Sequence, residues 1–363
     1  MFKQKLKKPD GRSLYLYANH PIQDNIEACN PVNEGAHANP HMRWHPLREE
    51  WVVYASHRQN RTFLPPKDYS PLKVISDKNH PTEMPAGNYQ VAVFENLFPS
   101  LTMSSDAKPE MSTKTSPSKG VCEVVVFTQD PDSNFGALPL SHVKLILEVL
   151  GERTKEIGSL PEIKYVMPFE NRGVEMGVTL HHPHGQIYSY PFIPPVQEKT
   201  LHAMKEFYQK NNQDLFSKMI ADEKKENSRI IFESEHSIAF IPICARYSYE
   251  TWIAPKRNVS FLHELNDVEM KDLALTLKTT LLKFDGLWNK TFPYLMTIFQ
   301  APTDGEKHPY AHLHFQITPP YRTKDRLKYL AGTELGAGIF INDSLPEEKA
   351  QELKVVNVEV KDE

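Results

Sequence analysis

Phe169-Glu170-Asn171-Arg172-Gly173-Val174-Glu175-Met176-Gly177-Val178-Thr179-Leu180-His181-His182-Pro183-His184-Gly185-Gln186-Ile187-Tyr188 is the stretch on which both fold and chemistry turn. It concentrates histidines, glycines and uncharged hydrogen-bonding side chains (Asn171, Thr179, Gln186), and it carries no helical apolar stripe. In an extended segment alternate side chains share a face, so His182, His184 and Gln186 are expected to line one cleft while Pro183 and Gly185 face away. Gly185 is expected to let a ligand approach the backbone, and Pro183 fixes one φ between the two imidazoles.

An imidazole that attacks phosphorus forms a phosphoramidate that is readily cleaved again. That suits an enzyme that picks up a phosphoryl-linked group and hands it on. The chemistry needs one ring nitrogen with a free lone pair and the other held as N–H by an acceptor, commonly a backbone carbonyl. Gln186 and Thr179 can donate hydrogen bonds to phosphoryl oxygens as charge develops. Taken alone, a His-x-His pair on a strand is more often a metal-ligand pair or a pair of structural histidines. The Gly-Gln that follows, and Asn171, Gly173, Gly177 and Thr179 before it, favour catalysis.

The stretch resembles the active-site signature of the galactose-1-phosphate uridylyltransferases, a branch of the histidine-triad superfamily. Members carry a similar Phe-Glu-Asn-x-Gly run, a Met-Gly pair, a Ser or Thr, and His-Pro-His-Gly-Gln. The resemblance extends from about Arg43 to about Leu353. It implies an α+β fold of duplicated histidine-triad-like domains, with antiparallel sheets and flanking helices. It implies that His184 is the nucleophile that becomes uridylylated, with Gln186 steadying the intermediate and His182 beside it. The implied reaction is a double displacement that converts UDP-glucose and galactose 1-phosphate to glucose 1-phosphate and UDP-galactose, in galactose metabolism. A homodimer is implied as well.

Further site residues follow from the same resemblance. Arg58 and Arg61, in His57-Arg58-Gln59-Asn60-Arg61, stand where the family reaches the nucleotide-sugar phosphates, and guanidinium forks match phosphate geometry. Without the family, two arginines after a strand read as solvated charges. Asn96 stands where the family places an Asn near uridine; read by itself it is a turn residue. Asn171, Gly177 and Thr179 belong to the substrate-binding run. The segment 326–334 resembles the one that contacts the sugar in the other subunit's site, with Lys328 on the sugar phosphate, Glu334 on sugar hydroxyls, and Tyr329 and Gly332 beside them. Thr333 stands where relatives frequently have Tyr.

Two family metal sites are incomplete in this sequence. Where members carry Cys-x-x-Cys as half of a zinc site, the chain has Tyr69-Ser70-Pro71-Leu72-Lys73, and Pro131 replaces a third ligand. His182 alone remains, and one imidazole does not hold tetrahedral zinc. An iron site in the family uses two histidines equivalent to His312 and His314 with another His and a Glu; here Phe299 stands at the other His, and Glu198 is merely nearby. No cofactor is therefore expected, and His182, His312 and His314 would be ligands only if a metal is present.

Composition sets outer bounds. The 363-residue chain has a formal net charge of -4, and no basic cluster follows a phosphate backbone, so nucleic acid is not an expected partner. Cys29, Cys122 and Cys244 form no paired motif, and no window approaches a membrane span. These features are expected of a cytoplasmic protein.

Along the chain, residues 1–42 read as irregular apart from a strand at Leu14-Tyr15-Leu16-Tyr17. Strands are expected around 51–55, 91–95 and 123–127, a helix over Leu140 to Ile157, and a mobile loop or insertion without apolar anchors at 100–120. After surface helices in 196–227 the pattern restarts. Strands at 238–242 and 250–254 and a capping-box helix from Asn266 to about Leu287 are followed by His312-Leu313-His314-Phe315-Gln316. The repeat predicts duplication, with domains at 1–195 and 196–363 and sheets either continuous or side by side. Leu313 and Phe315, in place of Pro and Gly, predict a core-packed alternate face in the second copy. Two other functions are compatible with the residues: a histidine-triad hydrolase or nucleotide phosphorylase, against which Gln186 stands where hydrolases carry a third His, and a nucleotide-sugar binding protein on a decayed scaffold.

Overall fold

The computed structural model describes residues 1–31, 38–61, 64–66, 70–77 and 79–361. Tyr69, first of the stretch compared with the zinc cysteines, lies outside them. The fold is α+β. Its main sheet takes β1 (Phe2–Lys7), β2 (Ser13–Ala18), β5 (Val91–Glu95), β7 (Cys122–Val126), β8 (Tyr165–Arg172) and β9 (His184–Tyr190) from the first half. The second half supplies β10 (Ile230–Glu233), β11 (Ser237–Phe240), β12 (Thr251–Pro255), β13 (Tyr294–Phe299) and β14 (His314–Thr318). A small sheet of β3 (His41–His45), β4 (Glu50–Tyr54) and β6 (Thr115–Pro117), and a hairpin of β15 (Tyr321–Thr323) and β16 (Arg326–Leu327), stand apart.

The main sheet runs β1-β2-β5-β7-β9-β8-β13-β14-β12-β11-β10. Outward from the central antiparallel pair of β8 and β13, the strands β8, β9, β7, β5 are answered by β13, β14, β12, β11. The repeated pattern therefore builds one continuous sheet. Helix α1 (Leu140–Gly158) falls between β7 and β8, and α4 (Asp267–Leu287) falls between β12 and β13, the same place in each half. At the start of α4, Asn266 Oδ1 accepts from Glu269 N at 3.0 Å and Glu269 Oε2 accepts from Asn266 N at 3.1 Å, the reciprocal cap its spacing predicts.

Alternation along the strands divides two faces. Val91, Val93, Val125, Ala239 and Ile253 join the main core with α1 and α4. Ala92, Phe94 and Val126 face the other way with Leu14, Leu16, Leu72 and Met84. In the second half that other face is covered by α2 (Pro195–Asn211) and α3 (Leu215–Glu226), through Met204, Phe216 and Ile220 against Ile238, Phe240 and Ala254. Among the described residues the first half places no α-helix on that face, which leaves room for a cavity. Helix α5 (Pro346–Lys354) returns Ala350 and Leu353 to the main core. No helix of the described residues is long and apolar enough to cross a membrane.

Two expectations fail. Residues 1–42 are not irregular before Leu14, because β1 pairs with β2 at the sheet edge. An edge strand needs no strict apolar alternation, and Phe-Lys-Gln-Lys-Leu-Lys shows little. Residues 100–120 are anchored: Leu101 is buried, β6 pairs with β3, and Ser105 Oγ donates to Pro40 O at 2.5 Å. Buried hydroxyl bonds do there what an apolar pattern would have advertised.

Candidate active site

On β8 and β9 the period of two turns Phe169, Asn171, His184, Gln186 and Tyr188 toward the open face. They line a cavity of about 560 Å3. Arg58, from a 3-10 turn after β4, and Arg61 just beyond it join the lining, as do Asn96 after β5 and Gly177 and Thr179 from the loop between β8 and β9. Gly177 has φ 75°, the left-handed region in which glycine costs least, so the loop can turn back over the cavity. Arg58 Nη1 donates to Phe98 O at 2.6 Å, which orients the guanidinium. Asn96 Oδ1 accepts from Phe98 N at 2.8 Å, a turn bond that leaves the amide NH2 for other partners.

His184 holds the central position. Its Nδ1 lies 2.7 Å from the carbonyl oxygen of His182, an acceptor only, so Nδ1 carries the proton and Nε2 keeps a lone pair. Burial lowers its pKa below the ordinary imidazole value, against the raising effect of that carbonyl, so the ring is neutral.

The expectation that His182 shares a cleft with His184 and Gln186 is corrected. β9 begins only at His184; His182 is 2 % exposed and lies outside the lining of the large cavity. Its Nε2–H donates to Thr128 O at 2.7 Å, and it borders a separate polar cavity of about 200 Å3 that His184 also touches. His182 thus reaches the site through its backbone carbonyl. Gly185 is corrected too. A Cβ there would stand 2.7 Å from Phe127 Cζ and 3.0 Å from Phe169 O, so the glycine answers to core packing and not to a ligand.

Lys328, Tyr329, Gly332 and Glu334 do not line the cavity within one chain. Lys328 Nζ pairs with Glu334 Oε1 at 3.1 Å, and Tyr329 is 77 % exposed on a segment that also exposes Leu335, Ile339 and Ile341. Among lining residues that the sequence reading did not single out are Glu83, Phe169 and Tyr188. Continuing the period of two from His184 and Asn171 reaches Tyr188 and Phe169; Glu83 sits in no motif.

The second half repeats the geometry and closes it. His312 Nε2 donates to Pro255 O at 2.8 Å, and His314 Nδ1 to His312 O at 2.8 Å. His314, however, is stacked between Phe216 and Phe299, with centroids at 4.3 Å and 4.9 Å, and the void beside it is about 10 Å3. Leu313 and Phe315 are buried in the main core, in line with the alternate-face expectation.

These residues do not fit the family's metals. His312 spends both ring nitrogens, Nδ1 on Asp214 Oδ2 at 2.7 Å and Nε2 on Pro255 O, and Glu198 is exposed. In the stretch compared with the zinc cysteines, Ser70 and Lys73 offer a hydroxyl and an ammonium in place of thiolates. Among the described residues no group of three His, Cys, Asp or Glu could hold an ion.

A neutral imidazole with its far nitrogen pinned, facing a cavity lined by two arginines and an amide on one half of a duplicated antiparallel sheet, defines a nucleotidyl-transferring enzyme of the histidine-triad type. Residues 30–194 match the galactose-1-phosphate uridyl transferase N-terminal domain, and residues 200–363 match its C-terminal domain. The chain is 37% identical over 326 residues to the galactose-1-phosphate uridylyltransferase of Thermotoga maritima, across 88% of this chain and 99% of that protein. Identity to the Haemophilus influenzae enzyme of the same name is 30% over 335 residues, across 88% and 95%. A solved uridylyltransferase superposes with a TM-score of 0.78 at 32% identity, over 87% of this chain and 98% of its own. The chain belongs to the galactose-1-phosphate uridylyltransferase family.

Proposed function

We propose that the 560 Å3 cavity binds UDP-glucose and that His184 Nε2 attacks its α-phosphorus. The N–P bond forms as the P–O bond to glucose 1-phosphate breaks, and the electron pair leaves on the phosphate oxygen. The Nδ1 proton stays on the ring, bonded to His182 O. Galactose 1-phosphate then attacks the same phosphorus through a phosphate oxygen, giving UDP-galactose and free His184. A phosphate leaving group needs no strong general acid, so the amide of Gln186 suffices beside the nucleophile. Arg58, Arg61 and Thr179 hold the phosphoryl oxygens, Asn96 faces the nucleoside, and Asn171 and Gly177 shape the phosphate end.

The observation that carries this reading is the 2.7 Å bond from His184 Nδ1 to His182 O, which leaves the lone pair on the cavity side. We propose further that Lys328, Tyr329, Gly332 and Glu334 act on the hexose in the site of a second copy, in a cytoplasmic homodimer, and that each chain divides into domains at 1–195 and 196–363. The exposed Tyr329, Leu335, Ile339 and Ile341 support such a contact. The test is partial exchange. With no galactose 1-phosphate present, labelled glucose 1-phosphate should enter UDP-glucose. Absence of exchange in enzyme that is active with both substrates would exclude a double displacement.

A further inference from the structure

Beside the cavity lies a buried ion cluster of Lys8, Asp10, Arg12 and Glu83. Lys8 Nζ places its three protons on Cys29 O at 2.7 Å, Glu83 O at 2.8 Å and Glu83 Oε2 at 2.9 Å. Arg12 donates through Nε to Asp10 Oδ2 at 2.6 Å and through Nη1 to Glu95 O at 2.7 Å. Its Nη2 donates to Asn30 Oδ1 at 2.6 Å and Glu83 Oε2 at 2.9 Å. Two cations thereby tie together the turn between β1 and β2, residues 29–30, the residues around Glu83 and the end of β5.

Three of the four tied stretches carry cavity wall, the turn between β1 and β2 being the exception. Asn30 precedes Pro31, Glu83 lines the cavity itself, and its N–H binds Pro71 O at 2.8 Å next to Leu72. Glu95 sits between the lining residues Phe94 and Asn96, and Lys8 Nζ lies 5.0 Å from the Phe94 ring centre. Val124 pairs with Gln186, and Phe94 pairs with Val124. Phe94 is therefore two strand spacings, about 10 Å, from Gln186 on the same face. A nucleotide with its α-phosphorus at His184 reaches that wall with its nucleoside, and Pro71, Leu72, Phe94 and Val124 are apolar there.

We propose that Lys8, Arg12 and Glu83 are positioning residues for the nucleoside wall, holding without a metal a loop that carries no cysteine ligands. The proposal rests on the reading that this cavity takes the nucleotide. Buried ion pairs add little net stability but fix geometry, and breaking one leaves an uncompensated charge. Their effect should fall on nucleotide capture.

In a double displacement the two half-reactions are read separately. Glu83→Gln in the full chain should lower kcat/KM for UDP-glucose about tenfold, through KM, and leave kcat/KM for galactose 1-phosphate within about twofold. Lys8→Gln, read in its place if Glu83→Gln does not fold, should do the same. Where both fold, the double variant should cost less than the sum. Wild-type enzyme dialysed against a chelator should keep its KM. Three results would overturn the proposal: equal loss in both half-reactions with a lowered Tm, no change in KM, or a KM raised by chelation and restored by zinc. Wild-type enzyme that takes no uridylyl group at His184 would remove the active-site reading and this proposal with it.

Discussion

Replacing Gly185 by alanine adds one methyl group on the core side of β9, directly between His184 and Gln186. The new carbon would stand 2.7 Å from Phe127 Cζ and 3.0 Å from the Phe169 carbonyl oxygen, whereas carbon atoms pack at about 3.5–4.0 Å. Phe127 is itself buried against Phe135, with centroids 4.7 Å apart, and Phe169 is paired with Gln186 in the β8–β9 ladder, so neither neighbour yields freely. Strand β9 must therefore move outward by about 1 Å, and His184 moves with it. A misplacement of that size costs about 100-fold in rate, and overpacking of this kind about 1–3 kcal/mol in stability. Rapid-quench measurement of single-turnover uridylylation by UDP-glucose, with a melting curve, reads both. Adding Phe127→Leu should recover part of each loss. A Gly185→Ala enzyme with wild-type single-turnover rate and unchanged Tm would show that the packing argument is wrong.

Arg58→Lys removes the planar fork and its bond to Phe98 O. It should cost about 1.5–3 kcal/mol of transition-state stabilisation, read as kcat/KM for UDP-glucose. Glu170 is buried beneath Tyr294, whose hydroxyl donates to it at 2.9 Å, and burial, opposed by Arg172, raises its pKa to about 7. As pH rises from about 4.5 to 7 the unfolded carboxyl ionises before the folded one, so stability is lost over that window, by up to about 3 kcal/mol. Glu170→Gln should flatten the loss in denaturant titrations, and an unaltered pH dependence would count against it. Phe216→Ala, which removes one ring stacked on His314, should cost about 3–5 kcal/mol in denaturant unfolding and leave transferase turnover intact. Lost turnover in the folded variant would mean that the second histidine pair is not merely packed.

The sequence reading reached the order of elements well where two signals coincided. Helix α4 had a capping box and fell where the restarted pattern calls for a helix, and β9 had alternation with a restart of the whole pattern further on. It could not say that β8 and β13 would join the halves into one sheet, because pairing between distant strands leaves no local trace. It failed at β1 and at 100–120, where an edge position and buried serine hydroxyls replace the apolar spacing that such reading depends on. Within the site, the run from Asn171 to Gln186 was legible because chemistry and alternation agree there. His182 was misplaced because extended geometry was assumed two residues too early: the strand starts at His184. Glu83 went unnoticed since its partners, Lys8 and Arg12, lie far away in sequence and meet it only after folding.

The most direct measurement is made on enzyme mixed with UDP-glucose alone, quenched, digested and mapped by mass spectrometry. The account predicts one uridylyl group, acid-labile as a phosphoramidate, on the peptide carrying His184, with fragmentation assigning it to that ring. A nucleotide mass on His182 or His314, or an unmodified His184 in enzyme that turns over both substrates, would contradict it.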